Sequence, residues 1–207
     1  RPFTFNKPKA LIEIKNVTLL EICIKNLIKF GFNDIIINVH HFADEIIHFL
    51  QSKNNFKVNI AISDERMLLL ETGGGLLKAQ SLLGNEPFLI HNVDILSNID
   101  LSVLYNEHLK NNAIATLAVM KRKSSRYLYF SPENELVGWI NTTTNEEIIT
   151  RNISSFQKFA FCGIHVISPV IFDFIKTQGS FSIIPEYLNI SKENRIVGKI
   201  FSSAHWI

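Results

Sequence analysis

The sequence has 207 residues, a length typical of one domain, and its 46% hydrophobic against 19% charged residues exclude a disordered chain. The 21 Lys and Arg residues against 19 Asp and Glu leave a net charge of +2, far from the concentrated positive charge of a nucleic-acid-binding protein. We therefore expect no nucleic-acid partner. No apolar run reaches the roughly 18 residues of a membrane span, so we expect a soluble protein without a membrane partner. Two cysteines are too few for a secreted disulfide framework, which favours the cytoplasm.

The first 120 residues alternate between helical and extended patterns of apolar residues. In chain order the predicted elements are a helix over 18–30, a strand over 34–39, a helix over 43–51, a strand over 56–63, a helix over 75–83, a strand over 87–91, a helix over 101–109 and a strand over 114–120. This alternation is typical of βαβ units on a parallel sheet. Ligands of such sheets bind beyond the carboxyl ends of the strands.

The pattern changes after residue 121. Strands are predicted over 127–130, 135–141, 147–151 and 158–167 with few helices between them, followed by helices over 169–176 and 182–190 and a strand over 195–201. We therefore expect one domain over residues 1–207, with a Rossmann-like three-layer α/β/α fold. Its sheet is predicted to be mainly parallel and to carry an antiparallel insertion.

Three consecutive glycines form the most unusual segment, Glu71-Thr72-Gly73-Gly74-Gly75, just before a predicted helix. Three glycines lose more backbone entropy than a simple turn requires, and they leave main-chain groups open to a flat ligand. The segment is not a P-loop, because no Gly-Lys-Ser/Thr follows, and it lacks the GxGxxG spacing. A flexible strand-to-helix connection is the alternative interpretation.

Two charged residues also stand out, each beside an apolar segment. Asp94 ends the apolar run 87–93, where a carboxylate at the carboxyl end of a buried strand suits a Mg²⁺ ion that also holds phosphates. Capping of the following turn explains it equally well. Lys9 follows Pro8 and can present a positive charge to a phosphate. On the residue pattern alone, a solvated lysine is the favoured alternative.

Six short motifs follow one another along nearly the whole chain: Arg1-Pro2-Phe3-Thr4, Pro8-Lys9-Ala10-Leu11, Asn38-Val39-His40-His41, Glu71-Thr72-Gly73-Gly74-Gly75, Asn92-Val93-Asp94 and Phe161-Cys162-Gly163-Ile164. In order and spacing they resemble the sugar-1-phosphate nucleotidyltransferase family. The likeness is greatest to small bacterial enzymes that attach UMP to N-acetylmuramic acid 1-phosphate or GMP to mannose 1-phosphate.

The resemblance implies an enzyme that joins a nucleoside triphosphate and a sugar 1-phosphate into an NDP-sugar and pyrophosphate, with Mg²⁺ as cofactor. The antiparallel insertion would lie on the sugar side. Lys9 would contact the phosphates, Asp94 would be one of two carboxylates on Mg²⁺, and the backbone near Gly163 would face the sugar. The nucleobase would lie against a loop formed by Thr72, Gly73, Gly74 and Gly75.

The sequence departs from the family pattern in three places. The glycine-rich phosphate loop is expected before Arg1 and the second metal carboxylate two residues after Trp206, both outside this chain, and Asn92-Val93-Asp94 replaces the usual Asn-Gly-Asp. A catalytically silent nucleotide-sugar-binding regulatory subunit is therefore an alternative. A GT-A glycosyltransferase ranks lower, because only the second carboxylate of its Asp-x-Asp motif is present. The base, the sugar and the oligomeric state stay open.

Overall fold

The computed structural model describes residues 7–207, so the predicted motif Arg1-Pro2-Phe3-Thr4 lies outside the described residues. Within that range, no helix combines the length and the apolar character needed to cross a membrane. The chain divides into two compact units. The first unit comprises the chain up to Gly84 with 93–96 and 178–181, and the second comprises 85–92, 97–177 and 182–207. The prediction of a single domain stays a prediction.

The first unit is built around one parallel βαβ motif. Its elements are β1 (Glu13–Ile14), β2 (Val17–Thr18), α1 (Leu19–Lys29), β3 (Asp34–Val39), α2 (Ala43–Ser52), β4 (Asn59–Asp64) and α3 (Glu71–Ala79). β3 and β4 pair in parallel, from Asp34 opposite Asn59 to Val39 opposite Asp64, with α2 as the crossover. Parallel pairing brings the carboxyl ends of both strands to the same edge.

Helix α1 begins at a side-chain cap and buries one apolar face. The Thr18 hydroxyl accepts a hydrogen bond of 3.1 Å from the Glu21 amide, which satisfies one of the unpaired N–H groups of the first turn. Leu20 and Ile24, one helical turn apart, then face the core. That core also contains Val39 from β3 and Leu50 from α2, so the apolar faces of helices and strands meet as the periodicity predicts.

The second unit contains the larger sheet. Its elements are β5 (Phe88–His91), α4 (Leu101–Asn111), β6 (Ala115–Met120), β7 (Arg126–Phe130), β8 (Leu136–Asn141), β9 (Glu146–Ile149), β10 (Gln157–Ile167), α5 (Ile171–Phe174), α6 (Ile183–Ile190) and β11 (Ile196–Ile200). The long strand β10 pairs antiparallel with β5, β6 and β7, and β7, β8 and β9 continue as an antiparallel meander. β11 pairs with β6 in parallel.

The α/β class and the antiparallel insertion after residue 121 are confirmed. The larger sheet is mixed rather than mainly parallel: β6 pairs with β11 in parallel, and its other strand pairs are antiparallel. In the first unit β3 and β4 form a parallel pair. Two elements begin three or more residues away from their predicted starts. β4 begins at Asn59, because Asn55 and Phe56 have positive φ angles, and α3 begins at Glu71, four residues earlier than predicted.

Candidate active site

Lys9 and Asp94 form an ion pair in the first unit. Lys9 begins a single turn of 3₁₀ helix after Pro8, and the next two residues, Ala10 and Leu11, are buried in the core of that unit. These two anchors leave the lysine side chain 59% exposed. Its Nζ donates a hydrogen bond to Oδ2 of Asp94, whose side chain is 35% exposed. The tertiary fold therefore joins two predicted residues that lie 85 positions apart.

The exposure of this pair limits what the contact contributes to stability. Ion pairs between exposed side chains contribute about 0–1 kcal/mol, so the fold gains little from the contact. Within residues 7–207 no group of three or more metal-ligating side chains occurs. Mg²⁺ often takes only one or two protein carboxylates and completes its shell with substrate phosphates and water. The partly exposed carboxylate of Asp94 fits that kind of site, in which Lys9 is free to turn to a phosphate.

The predicted open glycine loop is wrong. Gly73, Gly74 and Gly75 lie inside α3 and are buried. The amides of Gly73 and Gly74 both donate to the carbonyl oxygen of Phe181, at 2.8 and 3.2 Å, and the Phe181 amide donates to the carbonyl of Leu70 at 3.1 Å. The main-chain donors that were expected to be open to a ligand are therefore paired within the first unit.

Close packing explains why these three positions are glycine. A Cβ on Gly73 would overlap the Phe181 ring, and one on Gly74 would overlap the carbonyl oxygen of Gly179. A Cβ on Gly75 would lie 2.6 Å from both the Asn38 Nδ2 and the Glu65 Oε1 atoms. At Gly73 and Gly74 the neighbouring groups include backbone, which leaves no room for a side chain, and at Gly75 the Asn38 and Glu65 side chains would have to shift. Contact with protein groups therefore accounts for glycine at these positions, and the nucleotide-binding role of the segment stays a prediction.

The start of α3 is the part of this segment that faces solvent. Glu71 and Thr72 are exposed, while the three glycines after them are buried. Glu71 has a φ of 58°, a left-handed conformation uncommon for a residue with a side chain, and it turns the chain sharply from Leu70 into the helix. Thr72 therefore presents its hydroxyl and methyl group at the beginning of a helix, beside the buried glycine face.

A buried glutamate lies next to α3, and the sequence analysis did not single it out. Glu65 is 5% exposed. Its Oε1 accepts a hydrogen bond of 2.7 Å from the Asn38 amide, and its Oε2 accepts one of 3.2 Å from the Leu70 amide. Its carbonyl oxygen lies 2.7 Å from the His40 Nδ1 atom. Asn38 and His40 lie 27 and 25 positions away in sequence, so local patterns could not have identified these two contacts.

Asp64, at the end of β4, occupies another position where a carboxylate can bind ligands. The Asp64 carboxylate is bound by Arg66, whose guanidinium Nε donates a hydrogen bond of 2.8 Å to Asp64 Oδ2. The Nη1 atom of the same guanidinium donates one of 2.9 Å to Asp44 Oδ1. The hydrogen bond from Arg66 holds the pKa of Asp64 below its usual value. The negative charge of Asp64 is thus paired with the positive charge of Arg66.

Gly163 lies in the second unit, at an irregularity of β10. Its φ of 72° favours glycine, and the register between β10 and β6 shifts between Phe161 and His165. The carbonyl oxygen of Gly163 accepts a hydrogen bond of 3.1 Å from the Asn92 amide. Gly163 therefore lies at a local irregularity of the strand, and its predicted position facing the sugar stays a prediction.

Two side chains hold the carbonyl groups just before Gly163. Arg122 Nη2 donates to the carbonyl oxygen of Phe161 at 2.9 Å, and Trp206 Nε1 donates to that of Cys162 at 2.8 Å. The Arg122 guanidinium carbon lies 3.6 Å from the Trp206 ring centroid, which is a close cation–π contact. Three successive carbonyls of β10 thus have assigned donors. The aromatic residue near the end of the sequence was noted, but the arginine was missed.

Comparison of the sequence with known proteins identifies its family. The nucleotidyl transferase family model matches residues 1–159. N-acetylmuramate alpha-1-phosphate uridylyltransferase from Caulobacter vibrioides is 26% identical over 96% of this chain and 81% of its own length, and the protein of the same name from Neisseria meningitidis is 27% identical over 96% and 83%.

Solved structures share the fold of this chain. A putative glucose-1-phosphate thymidylyltransferase from Bacillus anthracis superposes with a TM-score of 0.78, at 16% identity, over 99% of this chain and 82% of that one. This likeness confirms the Rossmann-like α/β fold. The family match covers more than half of the sequence and includes Lys9, Asp94 and the glycines. The chain therefore belongs to the nucleotidyl transferase family, and within it to the sugar-1-phosphate nucleotidyltransferases, the enzymes that make NDP-sugars and pyrophosphate.

Proposed function

We propose that this enzyme transfers a uridylyl group from UTP to N-acetylmuramate 1-phosphate in a Mg²⁺-dependent reaction in the cytoplasm. The two uridylyltransferases of that name match 96% of the chain, which supports this pair of substrates. The scarcity of cysteines, two in 207 residues, supports the compartment. The regulatory alternative has no comparable support, because both relatives are transferases.

The Lys9–Asp94 ion pair is the observation that carries the catalytic part of the proposal. When the triphosphate binds, Lys9 Nζ leaves the carboxylate and donates to a phosphate oxygen. Asp94 would hold Mg²⁺, which would supply positive charge to the phosphate oxygens. Before the substrate binds, the opposite charges of the two side chains offset each other, so neither is left as an isolated charge.

The start of α3 supplies the nucleotide side of the proposed site. Thr72 is exposed and is proposed to contact the base through its hydroxyl group. Gly73, Gly74 and Gly75 keep their proposed nucleotide role in a changed form, because their buried face lets α3 pack close to its neighbours and so places Thr72. The backbone at Gly163 is proposed to face the sugar.

The reaction needs positioning and charge neutralisation more than a general base. A phosphate oxygen of the sugar 1-phosphate attacks the α-phosphorus of the triphosphate, and a new P–O bond forms. The bond from the α-phosphorus to the oxygen bridging to the β-phosphate breaks, and pyrophosphate leaves with that electron pair. Lys9 and Asp94 orient the phosphates and offset their charge, which lowers the barrier for an in-line displacement.

Pyrophosphate release from the full-length protein tests this proposal. Four nucleoside triphosphates are each combined with N-acetylmuramate 1-phosphate, glucose 1-phosphate or mannose 1-phosphate, with Mg²⁺ or with EDTA. We expect the highest rate with UTP and N-acetylmuramate 1-phosphate, and none with EDTA. Asp94→Ala should abolish release, whereas Asp173→Ala, which removes an exposed carboxylate in α5, should not.

Stability measurements separate a catalytic loss from unfolding. Because the Lys9–Asp94 contact is exposed, Asp94→Ala should lower the free energy of unfolding by less than about 1 kcal/mol. Turnover close to wild type in Asp94→Ala would refute the role of Asp94, and equal rates with all sugar phosphates would refute the proposed sugar.

A further inference from the structure

The buried carboxylate of Glu65 links two separate parts of the first unit. Through Oε1 it binds the side-chain amide of Asn38, near the end of β3, and through Oε2 it binds the backbone amide of Leu70, just before α3. Within residues 7–207 no Lys or Arg lies at salt-bridge distance from this carboxylate. The hydrogen bonds described for this carboxylate therefore come from amide donors, whose direction is set by the fold.

The same pair is pressed against α3. A Cβ at Gly75 would lie 2.6 Å from the bonded Asn38 Nδ2 atom and equally near the bonded Glu65 Oε1 atom. The hydrogen bond thus runs directly beneath the glycine face of the helix. Leu70, which the carboxylate holds, is only two residues from Thr72, and the left-handed turn at Glu71 leaves little slack between them. A shift of the pair would therefore move Thr72.

We propose that the Asn38–Glu65 hydrogen bond is a positioning element that sets the start of α3 for the nucleotide substrate. This inference rests on the proposed function in one respect, namely that Thr72 faces the nucleotide. Glu65 and Asn38 touch no substrate in this proposal. They act through the Leu70 amide and the glycine face, so their loss weakens nucleotide binding and leaves the sugar phosphate and the chemical step largely unaffected.

An exchange of charge between the two residues provides the decisive variants. Asn38→Asp places two carboxylates against each other and removes the donor, so α3 must move or a proton must be taken up. In the double variant Asn38→Asp/Glu65→Gln, the glutamine amide donates to the aspartate and its oxygen still accepts from Leu70. Glu65→Gln alone is also compatible, because the Asn38 amide can turn over and present its oxygen.

Kinetics distinguish positioning from general damage. We expect Asn38→Asp to raise KM for the nucleoside triphosphate about tenfold, with kcat and KM for the sugar 1-phosphate within about twofold of wild type. The double variant and Glu65→Gln should return KM to within about threefold. Asn85→Asp, at an exposed position, adds the same charge as a control and should change nothing.

A double variant as impaired as Asn38→Asp, or equal increases in both KM values, would overturn the proposal. Hydrogen exchange at the amides of 70–76, followed by mass spectrometry, gives a readout without turnover. Exchange should accelerate in Asn38→Asp and slow again in the double variant; unchanged exchange in Asn38→Asp would also overturn it. If the wild-type protein releases no pyrophosphate with any substrate pair, the proposed function fails, while the exchange data still decide whether the pair positions α3.

Discussion

Gly74→Ala tests whether close packing explains the glycines of α3. By helix propensity alone, alanine should stabilise this helix by up to about 1 kcal/mol relative to glycine. In the structure, however, the new methyl group would overlap the carbonyl oxygen of Gly179 and would lie 3.1 Å from the Leu70 Cβ atom. Because the first obstacle is backbone, it cannot turn away as a side chain can. Overpacking of this kind costs about 1–3 kcal/mol.

Overlap with a backbone oxygen places the packing cost in the upper part of that range, about 2–3 kcal/mol, so after the gain in propensity the expected net result is a loss of about 1–2 kcal/mol in the free energy of unfolding. For a chain of this size the loss corresponds to a decrease of roughly 2–8 °C in Tm. Urea and thermal denaturation monitored by circular dichroism measure both quantities. Gly84→Ala is the matched control, because nothing lies within 4 Å of the added methyl group, and it should change stability by less than about 0.5 kcal/mol. Equal or increased stability in Gly74→Ala would refute the packing argument.

Two further predictions concern buried groups. Burial lowers the pKa of His165, which lies 3.1 Å from the Tyr187 hydroxyl, to about 3, so the folded protein keeps this ring neutral while the unfolded chain protonates it below about pH 6.5. The stability that this group contributes is therefore complete above pH 6.5 and is lost as the pH falls towards 3, by up to about 1.4 kcal/mol per pH unit. In urea titrations His165→Gln should show a shallower decline over that window, and identical slopes would contradict the assignment. Burial also raises the pKa values of the Cys23 and Cys162 thiols to about 12. Iodoacetamide at pH 7 should therefore label both cysteines only after denaturation, as measured by mass spectrometry. Rapid labelling of the folded protein would contradict this expectation.

Most helices and strands could be predicted because they depend on residues close together in sequence. Thr18 begins α1 through a bond to an amide three positions away, and the apolar residues of the helix repeat at the spacing of a single face. The predicted start of β4 was three residues too early, because a pattern of apolar residues does not record backbone angles. Asn55 and Phe56 adopt positive φ angles that a β-strand pattern of apolar residues does not reveal.

Two residues of the candidate site could also be selected from the sequence, but their contact with each other could not. Lys9 was notable for its proline neighbour and Asp94 for its place after an apolar run. On the residue pattern alone, a solvated lysine was the favoured explanation of Lys9. The ion pair between them depends on a contact across 85 positions, which only the folded chain can form.

The glycines mark the boundary between the two kinds of information. The sequence by itself determined that residues 73–75 need backbone without side chains, that helices and strands alternate around them, and, through the ordered motifs, which family the chain resembles. Tertiary structure decided what fills the space: the carbonyl groups of Phe181 and Gly179 on one side, and the Asn38–Glu65 pair on the other. Glu65 lies ten residues before Gly75, but Asn38 is nearly 40 positions away and Gly179 and Phe181 are more than 100 positions away, and short-range patterns carry no record of such distant partners.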